Sequence, residues 1–424
     1  MKSKARIQVA VLCPIQRDYL ACETTKNREE YDFHYLDSEQ ITAGNVGEAF
    51  DIIAYIEFCK EYIEQHDIQV VLATHDIPAI IQAILCQQFK HLRGPSIESV
   101  LHCLHKFYTR AYLDPSPIRY TYVDLENFHT YSNVKSLGFP SFIKPAISAT
   151  SLFVSMLKSY AEFEEKAAVL KEEFSQFRYF NVFADEYIDR AKYPLCFQNT
   201  ALVEEYVQSP YKITMDGCVF NEQIIFWGLT DNIYFSSKPE CFNACIYPSS
   251  LPEFIQENIR QSYSQIVHRL IDLGYDNQFV NVEFFVFEDG SLKVMEVNSR
   301  VFGQIRPIYV QCLEDGDQFA ALIEICCGHR PKTPKPNGLF GGNFYVNTFA
   351  DDITENLVNF EIADRHPEFT MNVSPGNYVC GSKRNQGFRL AYIDLVATTV
   401  EELYYQADEL KRKFLKCPEA SPWE

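Results

Sequence analysis

The chain is short of positive charge: 38 Lys and Arg stand against 57 Asp and Glu, a formal net charge of −19 over 424 residues. That deficit argues against a general binder of nucleic acid or of anionic membrane surfaces. It leaves room for a nucleotide, which needs only one local basic site. No run of about 18 apolar residues suggests a membrane span. The apolar stretch after the basic start Met1–Arg6 is too short and interrupted for a signal peptide. Internal repeats and low-complexity tracts are lacking. There is no Gly-x-Ser-x-Gly to present a nucleophilic serine, and no Gly-x-Gly-x-x-Gly after the first apolar run to cradle a dinucleotide. The 14 cysteines lack regular metal spacing. Cys326 and Cys327 are adjacent and most others lie in apolar contexts, so buried free thiols in a reducing, cytoplasmic compartment are expected.

Core-forming material is ample, at 47% hydrophobic and 14% aromatic residues. A chain of this length should form more than one domain, since single cores stop growing at roughly 250–300 residues. Ile7–Leu12 and Val70–Thr74 read as buried strands. Val46–Ile63 and Pro78–Phe89 read as helices, giving an α/β layer whose strand ends lie near Cys13 and His75-Asp76. Further on, Phe279–Phe287 and Leu292–Asn298 are β-branched and aromatic runs joined through Asp289-Gly290, a hairpin with a two-residue type I′ turn. Counting back from Glu288 opposite Ser291 sets Glu283 against Glu296 and Asn281 against Asn298, all on one face. Opposed like charges about 5 Å apart destabilise a sheet. A divalent cation would convert that penalty into coordination, because Mg²⁺ takes oxygen ligands and keeps substrate phosphates in its shell. The competing readings are a solvated hairpin whose glutamates merely repel, and a register one residue off.

Glu283 followed by Glu296-Val297-Asn298-Ser299-Arg300 resembles the metal-binding motif of the ATP-grasp superfamily, and further segments extend the likeness. Gly94–Val100 with His105–Tyr108 resembles the approach to that family's first phosphate-binding lysine, here Lys106. Leu137–Pro145 resembles the strand bearing the second, Lys144. Alone, Lys106 would read as a solvated helix residue. Lys144 interrupts an apolar strand and has no partner in the local sequence except a ligand, so it is expected to serve phosphates and not the fold. The stretch Pro145–Val154 takes the place of the phosphate-covering loop. It has no glycine, and Ser148, Thr150 and Ser151 would supply hydroxyl donors. Ala201–Val207 resembles the strand against which adenine rests, with backbone groups near Glu205 and Val207 and the carboxylate of Glu204 as its contacts. Lys212 falls where relatives carry an acid. Ile213–Phe220 and Gln223–Gly228 read as an antiparallel pair, turning at Asp216-Gly217 or at Phe220–Glu222. Leu251–Leu273 reads as a long helix stopped by Gly274.

The resemblance implies an ATP-grasp fold in four parts. These are a Rossmann-like N-terminal domain (1–104), a subdomain with the lysines and loop (105–200), a subdomain with the adenine segment and metal hairpin (201–336), and a β-rich C-terminal lobe (337–424). It implies an ATP-dependent ligase that joins a carboxylate to an amine through an acyl phosphate, releasing ADP and phosphate. Glu283, Glu296 and Asn298 would hold Mg²⁺, with Mn²⁺ as a substitute. Lys106 and Lys144 would hold phosphates, and Arg300 would stabilise the transferred group. Arg306 either assists or pairs with surface acids. The expected partners are a small-molecule carboxylate and amine, with neither nucleic acid nor membrane, and a homodimer is compatible with the chain. Two alternatives stand beside this. Biotin-carboxylase-like carboxylation is one, although no Met-Lys-Met motif is present. The other is a non-catalytic nucleotide-binding regulator, favoured by the glycine-free loop and Lys212.

Overall fold

The computed structural model describes residues 5–38, 41–42, 45–46, 50–147, 154–235, 238–382 and 387–416. Ile7–Leu12 is the centre of a three-stranded parallel sheet, flanked by Tyr31–Leu36 and Val70–Leu72. Its residues Val9–Leu12 are fully buried, as an unbroken apolar run in a two-sided parallel sheet must be. The neighbouring strand Tyr31–Leu36 escaped the sequence reading because Asp32 and His34 break its apolar character. The next helix starts at Ile52, not Val46, since Asp51 accepts the Ala54 amide and fixes the first turn there. The helix beyond Val70–Leu72 runs Asp76–Gln88.

Two antiparallel sheets follow. The smaller has four strands in the order Tyr120–Asp124, Thr200–Glu205, Ser141–Pro145, Ser155–Leu157. The larger has eight, in the order Leu292–Asn298, Gln278–Val286, Tyr211–Phe220, Gln223–Phe235, Lys238–Tyr247, Phe340–Thr348, Phe388–Ala397, Phe369–Met371. The C-terminal strands thus continue the sheet that begins at the glutamate hairpin. The helix Glu253–Asp272 buries Ile255, Ile259, Tyr263, Ile266 and Leu270 against Val280, Val282 and Phe284. Apolar residues at that spacing form one helical stripe. The helix ends with Gly274 at φ +86°, the Gly274 amide bonding the Ile271 carbonyl and the Tyr275 amide that of Leu270. That crossed pair is the glycine stop expected from the sequence.

The turn of the central pair falls at Asn221-Glu222, both in the left-handed region, with Phe220 opposite Gln223. Asp216-Gly217 is not a turn. It lies inside the strand at a bulge, and a Cβ on Gly217 would sit 2.5 Å from the Tyr263 hydroxyl. The architecture is therefore α/β with a β-rich C-terminal lobe. Among the described residues every cysteine is a free thiol, and no helix is long and apolar enough to cross a membrane.

Candidate active site

The hairpin Gln278–Val286/Leu292–Asn298 places Glu283 opposite Glu296 and Asn281 opposite Asn298, the expected pairing. It gets there by another route. The turn is not the two-residue type I′. Phe287 and Ser291 close a three-residue loop, with the Gly290 amide bonded to the Phe287 carbonyl and Gly290 at φ +80°. Near this tip the register is one residue off the expectation, with Val286 opposite Leu292. A bulge then leaves Met295 unpaired and shifts the ladder back before Glu283 is reached.

Both glutamates are half-buried, and they titrate apart. Burial, and next the facing Glu296, push the Glu283 carboxyl up to about 7. Burial would raise Glu296 as well, but the ammonium groups of Lys106 and Lys144 hold it below the usual carboxylate range. The Lys106 ammonium lies 3.1 Å from Glu296 Oε1. Asn298 donates from Nδ2 to Asn281 Oδ1 at 3.0 Å and reaches Glu283 Oε1 at 3.5 Å. This donor set fits Mg²⁺: two carboxylates that repel without a cation, and one amide. Among the described residues no cluster of three or more His, Cys, Asp or Glu forms an all-protein cage. An ion that keeps waters and phosphates in its shell does not require one.

On the smaller sheet Lys144 and Glu204 share a face, since Lys144 pairs with Leu202 and Phe142 with Glu204. Here one expectation fails. Lys144 does have a partner in the fold, because its ammonium lies 2.6 Å from Glu204 Oε2. The other Glu204 oxygen accepts from Arg110 Nε at 2.7 Å. Burial alone would raise Glu204, but the Arg110 and Lys144 cations pull it down to about 2. The sequence reading did not single out Arg110. It is buried, and it also bonds Asp114 and the Met295 carbonyl, at 2.8 Å from Nη2. One guanidinium therefore joins the Lys144–Glu204 pair to the bulge that aligns the glutamates. The signal available was a cation within the aromatic run Phe107–Leu113.

The adenine-segment residues separate. Glu205 turns to Arg119, whose Nε is 2.7 Å from Oε2, while Val207 lies half-buried in the coil leading to Tyr211. Ser148 and Ser151 lie outside the described residues. Lys212 sits over the Tyr234 ring, 3.5 Å from its centroid. Arg300 is brought to the N-terminal domain, with Nε 3.0 Å from Asp76 Oδ1. Burial would lower its pKa, but Asp76, Glu283 and Glu296 together raise it. Arg306 pairs with a buried acid and not with a surface one. It lies against Asp18 at 3.3 Å and against the Arg17 carbonyl, which pins the 300–306 segment to the first helix, Gln16–Thr24. Lys106, Lys144, Glu283, Glu296 and Arg300 thus form one electrostatically linked cluster.

No family model matches the chain. It is 21% identical over 239 residues to a D-alanine–D-alanine ligase of Campylobacter lari, a match covering 55% of this chain and 60% of that protein. Solved structures align over nearly the full length. An L-amino acid ligase from Bacillus licheniformis has a TM-score of 0.73 at 14% identity, covering 97% of this chain and 98% of its own. Biotin carboxylase from Campylobacter jejuni has a TM-score of 0.67 at 13% identity, covering 97% and 92%. N5-carboxyaminoimidazole synthase from Aspergillus clavatus, in complex with ADP and its ribonucleotide, has a TM-score of 0.67 at 13% identity, covering 96% and 98%. The chain has the ATP-grasp fold.

Proposed function

We propose that the protein is an ATP-dependent enzyme that activates a carboxylate as its acyl phosphate and passes the acyl group to a nitrogen nucleophile, releasing ADP and phosphate. The observation carrying this is the convergence of two lysines, two opposed glutamates and an arginine in one charged cluster. Glu283, Glu296 and Asn298 would hold magnesium, whose chemistry is to neutralise charge on the transferred phosphoryl group. Lys106 and Lys144 orient the phosphates, each leaving its carboxylate partner in part to do so. Arg300, fixed by Asp76, faces the carboxylate oxygen as it bonds to phosphorus and the bond to ADP breaks. The nucleophile then attacks the acyl carbon, phosphate departs with the bonding electrons, and the nitrogen gives up its proton to solvent.

Two acids are in view. Carboxylase-type names outnumber amide-forming ones among the full-length structural likenesses, which puts bicarbonate first. The amino acid or small acid expected from the sequence has the support of the L-amino acid ligase and of the partial D-alanine–D-alanine ligase match. The test is magnesium-dependent ADP release, assayed with bicarbonate and an amine mixture, and separately with amino acids in bicarbonate-free buffer. Release with bicarbonate supports the first acid, and release only with amino acids supports the second. AMP with pyrophosphate, or no turnover in either, would overturn the acyl-phosphate reading. The four-part division is likewise a proposal, in which the eight-stranded sheet spans the last two parts.

A further inference from the structure

Beside the two glutamates runs a second row of polar side chains. Register sets Thr214, Glu283 and Glu296 across three strands, and next to them Asp216, Asn281 and Asn298. The second row is a linear chain of hydrogen bonds, at whose end the Asn298 amide also reaches Glu283 Oε1 at 3.5 Å. Asn281 Nδ2 donates to Asp216 Oδ1 at 3.0 Å, and Asn298 Nδ2 donates to Asn281 Oδ1 at 3.0 Å. The other Asp216 oxygen accepts from the Tyr309 hydroxyl at 2.9 Å. Asp216, Asn281 and Asn298 are all buried, Asn281 completely. Tyr309 reaches Asp216 only because residue 228 is glycine: a Cβ there would lie 2.7 Å from the Tyr309 hydroxyl.

An asparagine amide has a donor edge and an acceptor edge of almost the same shape, and its neighbours decide which way it faces. A carboxylate offers only acceptors, so Asn281 must turn its NH₂ to Asp216 and its oxygen to Asn298. Asn298 must then turn its own NH₂ to Asn281, which leaves Asn298 Oδ1 as the edge available to a cation. We propose that Asp216 is a positioning residue that, through Asn281, sets the Asn298 amide with its oxygen toward the metal. The inference rests on the reading of Glu283, Glu296 and Asn298 as a magnesium site. It does not depend on the ionisation of Asp216. A protonated Asp216 can give its proton to the Tyr309 oxygen while Oδ1 still accepts from Asn281, and the polarity of the row is unchanged. Tyr309 belongs to the helix Arg306–Cys312, so the same row is braced from the segment that follows Arg300.

The experiment is a Mn²⁺ titration in the presence of ADP, with free Mn²⁺ read by electron paramagnetic resonance and no turnover involved. Asp216→Asn keeps the shape but lets residue 216 present either edge, so the row loses its polarity. Mn²⁺ affinity should fall about 10-fold, the lower end of the range for partners of metal ligands. Asn298→Asp supplies the control, because a carboxylate has no wrong edge. In that background Asp216→Asn should cost less than about twofold, a strongly non-additive cycle. Equal losses with and without the Asn298→Asp change would reduce Asp216 to a remote charge and overturn the proposal, as would no loss in either. Should Asp216→Asn fail to fold, Asn281→Ala breaks the row one residue later and carries the same cycle. Failure of the magnesium reading itself looks different: Glu283→Gln would then bind Mn²⁺ as the wild type does.

Discussion

Glu204, which is buried, and Glu283, which is half-buried, are glutamates on the faces of two sheets, and their environments are opposite. Glu204 has a cation on each oxygen, Arg110 at 2.7 Å and Lys144 at 2.6 Å, and is held down to about 2. Glu283 faces another carboxylate and is pushed up to about 7 by burial and that neighbour. Burying an ionised group is tolerated when charge partners are built in and is costly when they are not. The first glutamate is therefore satisfied by the protein alone, and the second faces a like charge that, under the proposed function, a cation from outside would offset.

The sharpest way to break this comparison is to remove charge from the satisfied member. Glu204→Gln would leave Arg110 and Lys144 facing an amide, and breaking such a buried pair costs about 3–5 kcal/mol. Urea unfolding should record that loss, and a change under about 1 kcal/mol would mean the cations find other partners. Lys144→Met should lose less stability, about 1–3 kcal/mol, because Arg110 still holds Glu204. The sequence alone had Lys144 serving phosphates and not the fold, and the Glu204 contact is the reason a loss of stability is expected in the variant. Its turnover should fall about 100-fold if Lys144 also serves the phosphates in the transition state. Glu283→Gln should act in the other direction, relieving like-charge repulsion and raising apoprotein stability by about 1 kcal/mol. The same variant should lose the rise in melting temperature that MgATP gives the wild type. The smallest effect is with pH. Glu204 titrates below its unfolded value, so its contribution is complete above about pH 4.5 and is lost as pH falls toward 2. The stability gap between wild type and Glu204→Gln should be constant from pH 7 to 5 and should narrow at pH 4.

Much of the site was legible in the sequence because its chemistry is local. The opposed glutamates share a face by a period of two, although the expected turn and tip register were not those found. Lys144 stands out against an apolar strand, whereas Lys106 alone reads as a solvated helix residue. What was missed is long-range or disguised. Asp216-Gly217 has the composition of a turn, yet here the glycine admits Tyr263 and the aspartate anchors Asn281. Arg110 acquires its role only when the Met295 carbonyl arrives from 185 residues away. The same holds for Asp76, which meets Arg300 across 224 residues. Sheet order was also hidden, since no local pattern tells Lys238–Tyr247 to accept Phe340–Thr348 as its neighbour.

The unpaired Met295 gives the hairpin one residue of slack in chain length. The three-residue tip and the bulge each displace the ladder by one, and they cancel before Glu283. Deleting Met295 would remove the bulge, let the ladder run on in the register of the tip, and still bring Glu296 opposite Glu283. What would go is the carbonyl that Arg110 holds. An insertion in the same place has no such reserve and would turn Glu296 to the other face. Length variation here is therefore asymmetric: a chain shorter by one between the two glutamates keeps the pair, and a chain longer by one loses it.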